Sequence, residues 1–267
     1  MKSKIIIPLL ITITCILIAT QFDFSPLTET SKTGFKVYRI AHAGGGINET
    51  TYTNSYEALN HNYKKGFRYF EIDFVFTKDN QLVCLHDWGK NFEQSFGFET
   101  ESKVTFLEFE KLVDNSQIYT NCTLLGLGEW MKEHPNSFLI TDVKGKKIDA
   151  LEQIANVIPD ARKRVIPQMY QPENFNYIKS LGFENVIWTL YRYSGDKGEV
   201  LTWVDKLTGS FAITMPKSRL KSGLAKALKK KNIPSYVHTV NKASEFERYK
   251  KKFGITEIYT DFLFPVD

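Results

Sequence analysis

Cysteine is scarce, at three residues in 267, which excludes a small scaffold held together by disulfides. No low-complexity tract interrupts the chain, and no break in composition marks off a second core. Charge of one sign is also lacking. Lys and Arg number 35 against 30 Asp and Glu, and the formal excess of +5 is too small to argue for a nucleic-acid partner. Hydrophobic residues make up 42% and charged residues 24%, which excludes intrinsic disorder and collagen-like repeats.

The amino end stands apart. Lys2 and Lys4 precede an apolar run from Ile5 to Ala19. As a helix this run reaches about 22 Å, short of the ~30 Å hydrocarbon layer. Residues 1–20 are therefore expected to be a signal peptide or amino-terminal membrane anchor, with cleavage favoured, and the rest to be exported to the periplasm or beyond. Residues 21–36 read as a polar linker. Cys84 falls in an apolar strand and Cys122 in a polar segment, and they can pair or remain free thiols.

From Val37 onward, strand-like runs alternate with helical patterns. Strands are predicted at 38–42, 69–75, 82–86, 138–143, 165–169, 186–191, 211–215, 235–240 and 257–260. Helices are predicted at 55–65, 105–113, 128–132, 148–157, 172–181, 199–207, 220–230 and 243–251. The segment 77–81 is too short for a crossover, so the second and third strands form a hairpin. Residues 88–124 are otherwise irregular. Setting the hairpin strand aside leaves eight strands in β-α order, the number that closes a parallel barrel. The predicted fold is α/β: a (β/α)8 TIM barrel over 37–267, with a short hairpin and loop excursion after the second strand.

The chemistry-bearing residues fall at strand ends. His42 ends the first strand and is followed by Ala43-Gly44-Gly45-Gly46. Glu71 and Asp73 lie two apart on one strand, so they share a face, although Ile72 and Phe74 between and after them are the residues expected to point inward. His86-Asp87 ends the hairpin, and Asp142 and Lys144 are again two apart. Barrel active sites lie at the carboxyl ends of strands, where these groups would converge. Three carboxylates repel each other unless a cation joins them, and an all-oxygen set selects Mg²⁺ or Ca²⁺ over zinc. Two histidines beside that cation can move protons near neutral pH. Lys144 adds fixed positive charge, and glycines after His42 allow backbone N–H groups to approach an anion. Together these suit a phosphate ester. His61 and His134 have no carboxylate neighbours and are expected at the surface.

Taken together these motifs resemble the glycerophosphodiester phosphodiesterase family, from about Ile40 to Pro265. The likeness rests on His42-Ala-Gly-Gly, Thr53-Asn-Ser-Tyr-Glu-Ala58 and Gly66-Phe-Arg-Tyr-Phe-Glu71-Ile-Asp73. It continues through Thr77-Lys-Asp-Asn-Gln-Leu-Val-Cys-Leu-His86-Asp87 and Leu139-Ile-Thr-Asp142-Val-Lys144. It closes with His238-Thr-Val-Asn241 and Gly254-Ile-Thr-Glu-Ile-Tyr-Thr-Asp261. The resemblance implies His42 and His86 as the acid–base pair, assisted by Lys144, and Glu71, Asp73 and Asp142 as ligands of one divalent cation, Mg²⁺ or Ca²⁺. It further implies Gly44, Asn54 and Asn241 as substrate-binding residues. Two positions depart from the family pattern. Ala43 stands where an Arg usually grips the phosphate, and Asp142 stands where a Glu is usual.

The activity expected is metal-dependent hydrolysis of glycerophosphodiesters to glycerol phosphate and an alcohol. The shorter Asp142 also resembles sphingomyelinase D-type phospholipases, which act on lysophospholipids or sphingolipids. A third reading is a catalytically silent barrel that binds a phosphate-bearing ligand. The expected partner is a small or lipid-derived phosphodiester, with a membrane surface within reach. No feature points to nucleic acid or to a protein partner.

Overall fold

The computed structural model describes residues 33–145 and 147–265. The expected export segment and most of the expected linker lie outside these residues. Nine strands form one sheet: β1 Ile40–Ala41, β2 Tyr69–Phe76, β3 Leu82–Cys84, β4 Phe138–Val143, β5 Val165–Met169, β6 Asn185–Thr189, β7 Ser210–Pro216, β8 Ser235–His238 and β9 Glu257–Thr260. Their order is β1-β9-β8-β7-β6-β5-β4-β2-β3, and a further β1–β2 pairing closes the ring. Every pairing is parallel except β2–β3, which is the predicted hairpin. The (β/α)8 barrel with its excursion is therefore observed.

The helices among the described residues are α1 Tyr56–Lys64, α2 Lys90–Phe96, α3 Phe106–Asp114, α4 Leu124–Glu133, α5 Lys147–Val157, α6 Ala161–Arg164, α7 Phe175–Ser180, α8 Lys197–Lys206, α9 Leu224–Lys230 and α10 Ala243–Phe253. None is long and apolar enough to cross a membrane. Local chemistry sets several boundaries. Ser55 caps α1 by accepting from the Ala58 N–H, and α3 and α8 open with reciprocal capping boxes, Thr105/Glu108 and Asp196/Glu199. Thr123 accepts from the Gly126 N–H, so α4 starts at Leu124, a turn before the predicted Gly128. The excursion also holds one helix more than predicted, α2.

Alternation along the strands divides the interior in two. Phe35, Ile40, Tyr69, Ile140, Ile166, Ile187, Ala212, Tyr236 and Tyr259 fill the base of the barrel. Phe35, placed in the linker by composition, is buried there as a plug. Phe70, Ile72, Phe74 and Phe76 face outward instead and pack in the large core shared with the helices. This corrects the expected inward orientation of Ile72 and Phe74. Both faces of a parallel barrel strand are covered, so the apolar alternates take the helix side and leave Glu71 and Asp73 the lumen.

The upper part of β2 rises beyond the ring and pairs with β3 through Phe74↔Cys84, Val75↔Val83 and Phe76↔Leu82. Val75, Val83, Leu85, Phe92 and Phe109 make a satellite core under α2 and α3. Cys84 and Cys122 form a disulfide, which resolves the two open alternatives. It fastens the end of β3 to the segment that returns to α4.

Candidate active site

β2 and β4 place the carboxylates. Their register aligns Asp73 with Asp142, and Glu71 sits one inward position below Asp73. Oxygens of Glu71, Asp73 and Asp142 all lie within 4.8 Å of one another at the carboxyl ends of the strands. Glu71 and Asp73 are buried at 2% exposure each. Burial first, and then Asp73, raises the Glu71 carboxyl to about 8. A single cation with bonds of about 2.0–2.6 Å can span oxygens at such separations, and it relieves the repulsion that keeps Glu71 protonated. The donor set therefore fits a hard divalent ion. Lys144 lies beside the same cluster, 3.1 Å from Asp73 and in contact with Asp142. Burial opposes its charge, but Asp73 and Asp142 outweigh burial and raise its pKa.

The first strand is shorter than predicted because the chain turns at His42. A tight helical turn spans His42–Gly44, with Ala43 left-handed at φ 49°. That turn directs the Ala43 N–H to Glu71 Oε2 at 2.8 Å. The group met by this backbone is thus the protein's own Glu71 carboxyl. The glycines serve the same turn. Gly44 takes φ +84°, and a Cβ on Gly45 would fall 2.3 Å from the Asn62 side chain.

The two histidines are held alike. His42 Nδ1 faces Asp261 Oδ1 at 2.9 Å, and His86 Nδ1 faces Asp87 Oδ2 at 2.8 Å. Each ring keeps Nε2 for other business. Burial pushes His42 down, but the Asp261 hydrogen bond, Glu71 and Asp73 outweigh it and raise its pKa to about 9. Tyr52 stands edge-on between the imidazoles, 4.6 Å from His42 and 5.1 Å from His86 by ring centroid.

The three residues expected to bind substrate are placed differently. Asn54 is fully buried and spends both ends of its amide on Asp73, donating to Oδ2 at 3.2 Å and accepting from the backbone N–H at 3.0 Å. Asn241 does the same for Asp261, donating at 2.7 Å and accepting at 2.8 Å. Gly44 is buried beneath the turn. All three position other site residues, and none lines the cleft.

The cleft, of about 450 Å³, joins His42, Glu71, Asp73, His86, Asp142 and Lys144 as the sequence predicted. Its walls add Tyr52, Trp88, Lys103, Tyr170, Tyr191, Arg192 and His238. Tyr170 donates to Asp142, and the Arg192 guanidinium lies 4.9 Å over the Tyr170 ring. Burial, reinforced by His42, lowers His238 to about 4, so it is neutral, and its Nδ1 pairs with Thr214 Oγ1. Tyr170, Tyr191, Arg192, His238 and Asp261 all sit at or just past strand ends. The same positional rule that found His42 points to them. His61 and His134 lie outside the cleft, and His134 stacks on Trp130 with centroids 4.1 Å apart.

The sequence model of the glycerophosphoryl diester phosphodiesterase family matches residues 42–263. Among solved structures, a glycerophosphodiester phosphodiesterase from Parabacteroides distasonis is similar at 22% identity and TM-score 0.64, over 83% of this chain and 91% of that one. A second, from Thermotoga maritima, aligns at 19% identity and TM-score 0.62, covering 84% and 94%. A phosphodiesterase from Oleispira antarctica, in complex with the product sn-glycerol-3-phosphate, aligns at 17% identity and TM-score 0.63, covering 85% and 93%. No curated protein sequence matches.

Proposed function

Since the chain belongs to the glycerophosphoryl diester phosphodiesterase family, and is thereby a phosphoric diester hydrolase, we propose that it cleaves glycerophosphodiesters to glycerol phosphate and an alcohol with His42 and His86 as the proton-transfer pair. The observation that carries this reading is the pairing of both Nδ1 atoms with carboxylates across one cleft, above an acidic cluster. The glycerol phosphate held by the Oleispira antarctica relative accords with such a product.

Glu71, Asp73 and Asp142 would hold one Mg²⁺ or Ca²⁺. When bound, that ion supplies positive charge to the phosphoryl oxygens as charge grows on them. The chain's own residues do the rest. Lys144 is fixed between Asp73 and Asp142 and faces the same developing charge. Arg192 makes no ion pair among the described residues, so its guanidinium is available to a phosphate oxygen. His86 Nε2 takes a proton from the attacking oxygen as the new P–O bond forms; that oxygen is either water, which gives glycerol phosphate directly, or the neighbouring glycerol hydroxyl, which gives a cyclic phosphate that water then opens to glycerol phosphate. His42 Nε2 gives its proton to the departing alkoxide as the old P–O bond breaks. Asp87 and Asp261 orient the two rings and compensate the charge each imidazole carries.

The test is product analysis on unactivated diesters. Glycerophosphocholine and glycerophosphoethanolamine should yield glycerol phosphate, turnover should stop in chelator, and Mg²⁺ or Ca²⁺ should restore it better than Zn²⁺. Head-group release from sphingomyelin with glycerophosphodiesters untouched would move the assignment to the phospholipase D-type reaction. Full turnover in excess chelator would remove the cation from the reaction.

A further inference from the structure

The positive charge of this protein is concentrated in one sector. Residues 217–252 carry twelve Lys and Arg against two Glu, an excess of ten in a chain whose total is +5. The rest of the chain is therefore net acidic. Four of the twelve cations stand at the cleft end, Lys217, Arg219 and Lys221 in the turn Lys217–Ser222 after β7 and Lys242 before α10, and the other eight lie on or just past α9 and α10, outside β7, β8 and β9. Barrel helices run antiparallel to the strands, so their last turns lie at the base, away from the cleft. There α9 presents Lys229 and Lys230, and α10 presents Lys250, Lys251 and Lys252, all exposed. The two helices are neighbours, since a Cβ on Gly254 at the end of α10 would lie 3.5 Å from the Lys226 backbone.

The helix dipole favours a basic residue in a last turn. That effect accounts for single lysines such as Lys64 of α1 or Lys206 of α8. It does not account for two adjacent triplets, Lys229 to Lys231 and Lys250 to Lys252, of which only Lys231 has a carboxylate partner, Asp205, among the described residues. Like charges gathered this way repel each other unless an anionic surface faces them.

A second observation concerns the same sector. The described chain begins beneath it. Thr33 Oγ1 donates to the Phe211 carbonyl at the start of β7, and Phe35 packs edge-on against Tyr236 at the start of β8. Residues 20–32 separate Thr33 from the apolar run ending at Ala19, a tether of at most about 45 Å. The described chain thus starts at the end of the barrel that carries the lysine cluster.

We propose that the base of the barrel under α9 and α10 docks on an anionic phospholipid bilayer, so that the cleft opens away from the membrane. Each lysine brought near such a surface is worth about five-fold in partitioning at moderate salt. The attraction is lost at high salt, where the screening length falls to about 3 Å at 1 M. With the cleft turned outward, the diester it meets is water-borne. That consequence, unlike the docking itself, rests on the proposed reaction.

The full chain is mixed with vesicles of phosphatidylcholine alone or with phosphatidylglycerol added. Exposed lysines are then labelled with a membrane-impermeant amine reagent and read by mass spectrometry. On anionic vesicles, labelling of Lys229, Lys230, Lys250, Lys251 and Lys252 should fall several-fold, and 1 M salt should restore it. Lys103 at the cleft should label equally on both. The variant Lys229→Glu/Lys230→Glu/Lys251→Glu/Lys252→Glu should lose the preference for anionic vesicles by two or more orders of magnitude, at about five-fold per lysine. Its hydrolysis of soluble glycerophosphocholine should remain at the wild-type rate, which certifies its fold. Equal labelling on both vesicle types overturns the proposal, as does protection of Lys103 with the base left open. Equal protection by soluble polyglutamate would reassign the face to polyanions in general. A wild-type protein that docks but hydrolyses nothing would count against the reaction and not against the surface.

Discussion

Replacing Glu71 by Gln should change stability with a sign that depends on the cation. In chelated protein the native Glu71 carboxyl titrates near 8, raised chiefly by burial and then by Asp73. An unfolded chain releases that proton near 4.5. The native state therefore binds the extra proton between those values, and stability falls as pH rises through the window. At pH 7 the proton uptake costs about 3.5 kcal/mol, from roughly 1.4 kcal/mol per unit over about 2.5 units. Gln needs no proton and keeps an oxygen for the Ala43 N–H. The chelated variant should thus be more stable than wild type by up to about 3.5 kcal/mol at pH 7 and equal to it near pH 4.5. For a domain of this size each kcal/mol moves Tm by about 2–4 °C. His42, raised to about 9 in part by Glu71, adds a second decline from 6.5 upward that is smaller in the variant, so the informative quantity is the difference between the two proteins from pH 5 to 6.5. With saturating Mg²⁺ or Ca²⁺ the order should reverse, because the variant lacks a ligand. Thermal melts by circular dichroism measure all of this. A chelated variant melting below wild type at pH 7, or a difference that does not vary with pH, would refute the argument that repulsion and burial dominate at Glu71.

His42→Ala and His86→Ala should each lower kcat/KM on an unactivated diester by about 10²–10⁴-fold, and the double variant by far less than the product. His61→Ala should leave the rate near wild type, and a loss as large as either would break the pair assignment. Asp261→Asn removes the negative charge beside the His42 proton, so the ring should titrate below 9 in chelated protein, as histidine NMR shifts would report. Reducing the Cys84–Cys122 bridge, which spans 38 residues, should cost about 4 kcal/mol in the chain-entropy account, read from urea midpoints with and without reductant. Arg192→Ala should lower kcat/KM by tenfold or more, with partial recovery in Arg192→Lys, and an unchanged value would show that the guanidinium does not meet the phosphate.

The alternation of strands and helices made the barrel legible, because a parallel barrel writes one strand-helix unit after another with short connections. The acidic cluster was legible for a related reason. Glu71 and Asp73 share a face by the two-residue period, and the β2–β4 register then aligns Asp73 with Asp142. Partner choice was not legible. Asn54 and Asn241 sit in motifs that suggested substrate contact, yet their amides close on Asp73 and Asp261, 19 and 20 residues away. Asp261 meets His42 across 219 residues, so only closure of the ring through β1 and β9 makes them neighbours. Periodicity along the chain carries no signal for such pairs. The disulfide was open for the same reason, since two cysteines allow a bridge but only the pairing of the returning segment beside β3, Val83 with Thr123, brings them together.

The departure at position 43 follows the same logic. A side chain there is fully buried, beneath a turn whose left-handed conformation serves the Ala43 N–H and its bond to Glu71. The cleft nevertheless contains a guanidinium. Arg192, just past the end of β6, lies over Tyr170, whose hydroxyl donates to Asp142. Lys144 is committed to Asp73 and Asp142, so Arg192 is the cationic group of that wall without a carboxylate partner among the described residues. A phosphate oxygen near the acidic cluster needs such a charge, and its origin on a different strand matters less than its direction of approach. On the proposed reaction, a phosphate in a cleft with Ala43 would draw this positive charge from the β6 side instead.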